Sequence, residues 1–136
     1  MADWRHARGL IDTSVVVDLD RIEPDRLPAE LAVSAVTMAE LAAGPHATDD
    51  PGERACRQDR LQRAEAAFHP LPLDAAVARA YGRVYAAVRA RGRKARGQRV
   101  VDLLIAATAV ATGLPLYTRN PADFAGLAEL LEIVTV

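Results

Sequence analysis

Arg8-Gly9-Leu10-Ile11-Asp12-Thr13-Ser14-Val15-Val16-Val17 sets one carboxylate and two hydroxyls inside a largely apolar run. Leu10 and Ile11 suit a buried strand. Asp12, Thr13 and Ser14 interrupt the apolar run, and Val15 to Leu19 resume it as a helix. Residues 9–12 are therefore expected as a first strand and 14–21 as a first helix. An acid at the exit of an apolar strand, at a helix start, stands where open α/β sheets place ligands. Asp, Thr and Ser are also strong helix N-caps, so capping alone also explains them. Three later acids in comparable settings bear on that choice.

Moving outward, Leu31–Val36 reads as a second strand, with β-branched residues and small partners. Thr37 followed by Glu40 matches a capping box, and Gly44-Pro45 stops the short helix between them. Glu40 is thus either a cap of its own helix or a functional acid. Glu53–Phe68 is helix-prone, with Leu61, Ala64 and Phe68 at helical spacing; Arg54, Arg57, Arg60 and Arg63 along it read as a solvated face. His46 and His69 read as surface residues in loops. His69–Leu73 is expected as a short edge strand, since its prolines exclude a central one. Asp74 is a good N-cap for a long helix ending near Gly92. Val77, Tyr81, Val84 and Val88 form its buried stripe, and its aromatics are expected in the core rather than as a stacking platform.

Residues 89–99 hold six basic side chains and two glycines. Such a run suits either a phosphate backbone, through Arg93, Lys94 and Arg96, or a solvated connector. Val100–Ala111 then runs apolar on every face, so this helix is expected to be buried, with Asp102 its lone charge in or next to the first turn. A buried carboxylate is costly without a partner. Gly113 closes the helix. Leu114–Thr118 is a short strand, Arg119–Phe124 a polar turn at its exit carrying Asp123, residues 126–131 a short helix, and Ile133–Val136 an edge strand.

Whole-chain properties narrow the classes. The chain has 136 residues, enough for one domain with a sizeable core, and half of them are apolar, which argues against disorder. No apolar run is long enough to span a bilayer, and residues 1–8 lack the apolar core of a secretory signal. One cysteine, Cys56, excludes an internal disulfide, and no Cys/His cluster suits structural zinc; a reducing cytoplasm is the expected location. The net charge of −1 does not point to nucleic acid. Of 17 basic residues 16 are arginine, which reflects either phosphate recognition or genome composition.

Alternating strands and helices predict an α/β fold: a single domain over 1–136, with a mostly parallel central sheet flanked by helices. Parallel strands share one exit edge, so Asp12 and Asp123 are expected there, with Glu40 and Asp102 near it. Four carboxylates with no fixed cation among them would repel, and magnesium or manganese relieves that with oxygen ligands and retained waters. The implied chemistry is metal-assisted phosphodiester hydrolysis.

The segments LIDTS, TMAELAAG, VVDLLIAATA and YTRNPADF, in this order, resemble the motifs of the PIN-domain family, and most closely its VapC-type toxin ribonucleases. Any one motif is weak, but four in order over nearly the whole chain are specific. The resemblance implies Asp12, Glu40, Asp102 and Asp123 as the catalytic acids holding magnesium or manganese, with Ser14, Thr118 and Asn120 as hydrogen-bonding support. It also implies single-strand-containing RNA as substrate, a homodimer and a small cognate antitoxin that blocks the site. Residues 45–72 match no motif. Competing readings are a PIN nuclease with a housekeeping RNA-processing role, an inactive PIN fold that only binds, and a receiver-like phosphoacceptor domain. The last requires a lysine at a late strand end, whereas Lys94 lies in a glycine-arginine loop.

Overall fold

The computed structural model describes residues 6–136. The expected absence of a signal-like core concerns residues 1–8, most of which lie outside the described residues. Four strands form one sheet: β1 (Arg8–Ile11), β2 (Glu30–Ala32), β3 (Leu116–Thr118) and β4 (Ile133–Thr135). Their order is β2-β1-β3-β4 and every pairing is parallel, with Leu10 opposite Ala32 on one side and Leu116 on the other. Five helices surround it: α1 (Thr13–Val17), α2 (Ala35–Ala43), α3 (Pro51–Ala67), α4 (Ala75–Ala90) and α5 (Gln98–Thr112).

The alternation of a strand's side chains explains why both faces are buried. Leu10 and Leu116 enter one core with Val77, Val84, Leu103, Ile105 and Phe124. The next residues along, Ile11 and Tyr117, enter the other core with Val15, Val16, Val33, Leu41 and Ala64. Strands covered on both faces read as continuous apolar runs, which is what makes β1 visible in the sequence. The α4/α5 pair therefore covers one face, and α1, α2 and α3 cover the other. Among the described residues no helix is long and apolar enough to cross a membrane.

Several boundaries differ from expectation, each for a physical reason. The first helix stops at Val17, and a 3₁₀ turn at Leu19–Arg21 follows Asp18. The second strand ends at Ala32, because the buried Ser34 caps α2 by accepting the Thr37 backbone N–H at 3.0 Å. Thr37 therefore lies inside the helix and does not start it. The segment at His69–Leu73 is reduced to one bridge, Leu71 with Ser34. Gly97 adopts φ +57°, a left-handed value open to glycine, and launches α5 at Gln98 rather than Val100. Asp102 thus lies two residues deeper in the helix than expected, in its second turn. Nor is α5 buried all round, since Val101, Leu104, Val110 and Ala111 are half-buried. Gly113 closes it with φ +69°. Residues 126–131 form turns and no helix, for Gly126 takes φ +92° at their start. In α4, Val77, Val84 and Val88 are buried as expected, but Tyr81 is only half-buried and Tyr85 is 42% exposed.

Candidate active site

Asp12 leaves β1 in an extended conformation, and its backbone N–H is held by the Tyr117 carbonyl of β3 at 3.1 Å. Its Oδ1 accepts the Val15 N–H at 3.1 Å and the Ser14 hydroxyl at 2.6 Å. The capping role is therefore real, but it does not exhaust the residue. Asp12 is 5% exposed. Burial raises its pKa above the ordinary aspartate value, while hydrogen bonds from Ser14, Thr118 and the backbone pull it down. Ser14 also accepts the Arg119 N–H at 3.1 Å, tying Asp12 to the exit of β3. The buried Thr118 accepts the Asn120 N–H at 3.0 Å and so shapes the turn that follows.

That turn, the 3₁₀ segment Pro121–Phe124, carries Asp123, and the fully buried Phe124 anchors it. Glu40 sits on α2 and does not fold back on its own helix start. Its Oε1 accepts the Thr13 hydroxyl at 2.5 Å, and its Oε2 accepts the Gln98 amide at 2.9 Å. The capping box expected from Thr37 and Glu40 is thereby replaced, because partners distant in sequence compete for the carboxylate.

Asp102 follows Gln98 by four residues on α5, so the two share one face of the helix. Its carboxyl is pushed up to about 6, chiefly by loss of solvation and then by the negative charge of Asp123, with Glu40 and Asp12 adding; a hydrogen bond from Gln98 opposes the rise. All four acids line one cleft of about 220 Å³, with Thr13, Ser14, Gln98, Ile105 and Asn120 completing its wall. Thr118 supports it from behind through Asp12 and Asn120. No lysine or arginine is among the lining residues described. Arg119, next to the site in sequence, pairs with Asp18 at 3.3 Å.

This donor set is all oxygen and its charge is unbalanced, which fits a hard divalent cation. Among the described residues no group of three or more Asp, Glu, His or Cys side chains stands poised to hold a metal ion.

Arg93, Lys94 and Arg96 are not in the cleft. They are exposed and line a separate cavity of about 350 Å³. One hydrogen bond ties this cavity to the turn bearing Asp123, for Arg93 Nη1 donates to the Ala122 carbonyl at 3.1 Å, one residue from Asp123. Two polar lining residues escape the sequence reading. Thr13 reads there only as a cap. Gln98 is hidden in the basic run, although its spacing of four from Asp102 is a usable signal.

The PIN domain family model matches residues 9–130. The chain belongs to the PIN-domain family. Among solved structures, this PIN domain is similar to VapBC-5 from Mycobacterium tuberculosis, a member of the VapBC family of toxin–antitoxin systems. The two share 34% identity over 96% of this chain and 99% of that one, with a TM-score of 0.83. FitAcB from Neisseria gonorrhoeae follows at 25% identity and TM-score 0.71, over 93% of this chain and 96% of that one. VapBC2 from Rickettsia felis, bound to a DNA fragment from its promoter, shares the fold at 19% identity and TM-score 0.73, over 95% and 98% of the two chains. No curated protein matches the sequence. The matched span of the PIN domain contains all four acids of the cleft.

Proposed function

We propose that this PIN domain is a metal-dependent endoribonuclease and the toxin of a VapBC-type toxin–antitoxin pair. The observation that carries this reading is the convergence of Asp12, Glu40, Asp102 and Asp123 in one cleft without a cation among its described lining residues. The similarity to VapBC-5 over nearly all of both chains supports the toxin assignment.

In this reading Asp12, Glu40, Asp102 and Asp123 hold magnesium or manganese, whose chemistry is to supply a more acidic water and to stabilise the leaving oxygen of the phosphodiester. The protein's own part is to keep the acids charged and fixed. Ser14, Thr118 and the Val15 N–H hold the Asp12 carboxylate as an acceptor. Thr13 and Gln98 grip opposite oxygens of Glu40, which fixes its orientation between α1 and α5. Asn120, at the mouth of the turn bearing Asp123, offers an amide to substrate or water. Arg93, Lys94 and Arg96 draw the RNA backbone to the side of the cleft.

A cleft so rich in carboxylates also suits a cationic inhibitor. An antitoxin segment presenting arginine would pair bidentately with these acids, and so compete with metal. A homodimer and a cytoplasmic setting complete the proposal. The test is cleavage of total RNA by the purified protein. Excess chelator should stop it, added magnesium or manganese should restore it, and co-expression with the neighbouring small protein should relieve toxicity. Full cleavage in excess chelator would refute the mechanism.

A further inference from the structure

The surface next to the acidic cleft presents an aromatic ring among cations. Tyr85, on α4, is one of the few large apolar side chains left exposed. A single exposed tyrosine is ordinary on any surface. This one lines the cavity of about 350 Å³ together with Arg89, Arg93, Lys94 and Arg96. Val88 and Ala95 supply the apolar part of the lining, and no acid is among the lining residues described. Among the described residues none of the four cations is in an ion pair. Cations that are not neutralised from within the protein are available to an external anion.

The ring is also braced. Tyr81, one turn earlier on α4 and partly packed into the core, stands with its ring centroid 6.2 Å from that of Tyr85, tilted by 43°. Arg89 follows Tyr85 by four residues, so the two share one face of the helix. An aromatic face flanked by guanidinium groups is what unstacked bases and their phosphates recognise. A double helix, whose bases are already stacked, cannot use the ring. The Arg93 bond to the Ala122 carbonyl places this groove against the turn that carries Asp123.

We propose that Tyr85 is a base-stacking platform for single-stranded RNA, with Arg89 and the cations of the 93–96 segment holding the adjoining phosphates, so that the groove seats a nucleotide flanking the bond cut in the acidic cleft. The inference rests on the nuclease reading and adds to it the site that selects an unpaired nucleotide. It also resolves an electrostatic difficulty, because an acidic cleft alone repels a polyanion, whereas a basic groove at its rim retains the strand.

The experiment measures binding of a fluorescein-labelled single-stranded oligoribonucleotide by anisotropy, in excess chelator so that nothing is cut. The partner probe is the same strand with abasic residues. Wild type, Tyr85→Ala and Tyr85→Phe are compared, with thermal melting as a check that each folds. Tyr85→Ala should weaken binding of the intact strand on the order of tenfold. It should leave the salt dependence and the abasic strand unaffected, and Tyr85→Phe should bind like wild type. The proposal is overturned if Tyr85→Ala binds the intact strand normally, or loses the abasic strand equally. It is also overturned if Tyr85→Ala spares RNA but weakens binding of a poly-glutamate peptide, which would assign the groove to a protein partner. Wild type that binds RNA, and cuts it in a parallel assay with magnesium supplied, beside an unaffected Tyr85→Ala removes this inference alone; wild type that binds neither strand and cuts nothing with magnesium supplied removes the nuclease reading with it.

Discussion

One hydrogen bond ties the basic groove to the turn that carries Asp123 of the acidic cleft, yet the charged groups of the two regions are held very differently. In the cleft, Asp12 is fixed by Ser14, Thr118 and a backbone N–H, and Glu40 by Thr13 and Gln98. In the groove, Arg89, Arg93, Lys94 and Arg96 are exposed, and among the described residues their side chains make a single hydrogen bond, from Arg93 to Ala122. Ordering a long side chain costs up to about 2 kcal/mol in lost rotamer freedom. In the cleft that cost is met during folding, so the carboxylates are in place before substrate arrives. In the groove it arises on binding, which leaves the cations adaptable to different strands. Chemistry should therefore respond steeply to changes in the cleft, and affinity should respond gradually to changes in the groove.

The largest effect is expected from Asp12→Asn and Asp102→Asn. Asparagine still caps a helix about as well as aspartate, so α1 should survive the first change. Cleavage per folded molecule should nevertheless fall by orders of magnitude in both, measured under single-turnover conditions. If groove variants cost as much as these, the division of labour between the two regions fails.

Gln98→Ala sharpens the comparison within the cleft. The substitution frees one oxygen of Glu40 and removes the hydrogen bond that favours charged Asp102. Cleavage should drop by about 10- to 100-fold, as for other residues that orient metal-binding side chains. The sign on pH follows from the missing bond: in the metal-free protein Asp102 becomes harder to ionise, so its carboxyl titration, followed by NMR in excess chelator, should move to higher pH. An unmoved titration would separate Gln98 from Asp102.

Smaller still is the effect expected from replacing Arg93, Lys94 and Arg96 together with alanine. Affinity should weaken similarly for every RNA sequence, and the salt slope should shrink by about 1 for each phosphate that is no longer neutralised. An unchanged salt slope would make the loop a mere connector.

What can be read from the sequence is whatever local chemistry determines. The run from Arg8 to Val17 reveals both β1 and the acid at its exit, because a strand buried on two faces is apolar throughout and Asp12 interrupts it. Asp74 and Gly113 mark helix ends through their own backbone and capping preferences. Glu40 is ambiguous for a definite reason. Ser34 to Thr37 and Thr37 to Glu40 both have capping-box spacing, and the partners that decide between them, Thr13 and Gln98, lie far away in the sequence. The start of α5 depends on the left-handed conformation of Gly97, which a glycine permits but does not require. Tyr85 reads as a core residue because the stripe of Val77, Tyr81, Val84 and Val88 is only slightly offset from it. Which side of that offset meets solvent depends on where α5 packs.

The central claim is that the four acids are kept close in order to hold a cation, against their own repulsion. Asp102 tests it most directly. Its folded pKa of about 6 lies above the ordinary 3.8, so between these values the folded state binds more protons than the unfolded state. The metal-free fold should therefore lose stability as pH rises through that window, and carry the full penalty above it. The measurement is thermal melting of wild type and Asp102→Asn at neutral pH, with and without magnesium. Without metal, Asp102→Asn should melt at or above the wild-type temperature. Magnesium should raise the melting temperature of wild type, since it binds the folded state, and raise that of the variant less. A variant that melts lower without metal and gains as much from magnesium would show that Asp102 serves the fold and not the cation.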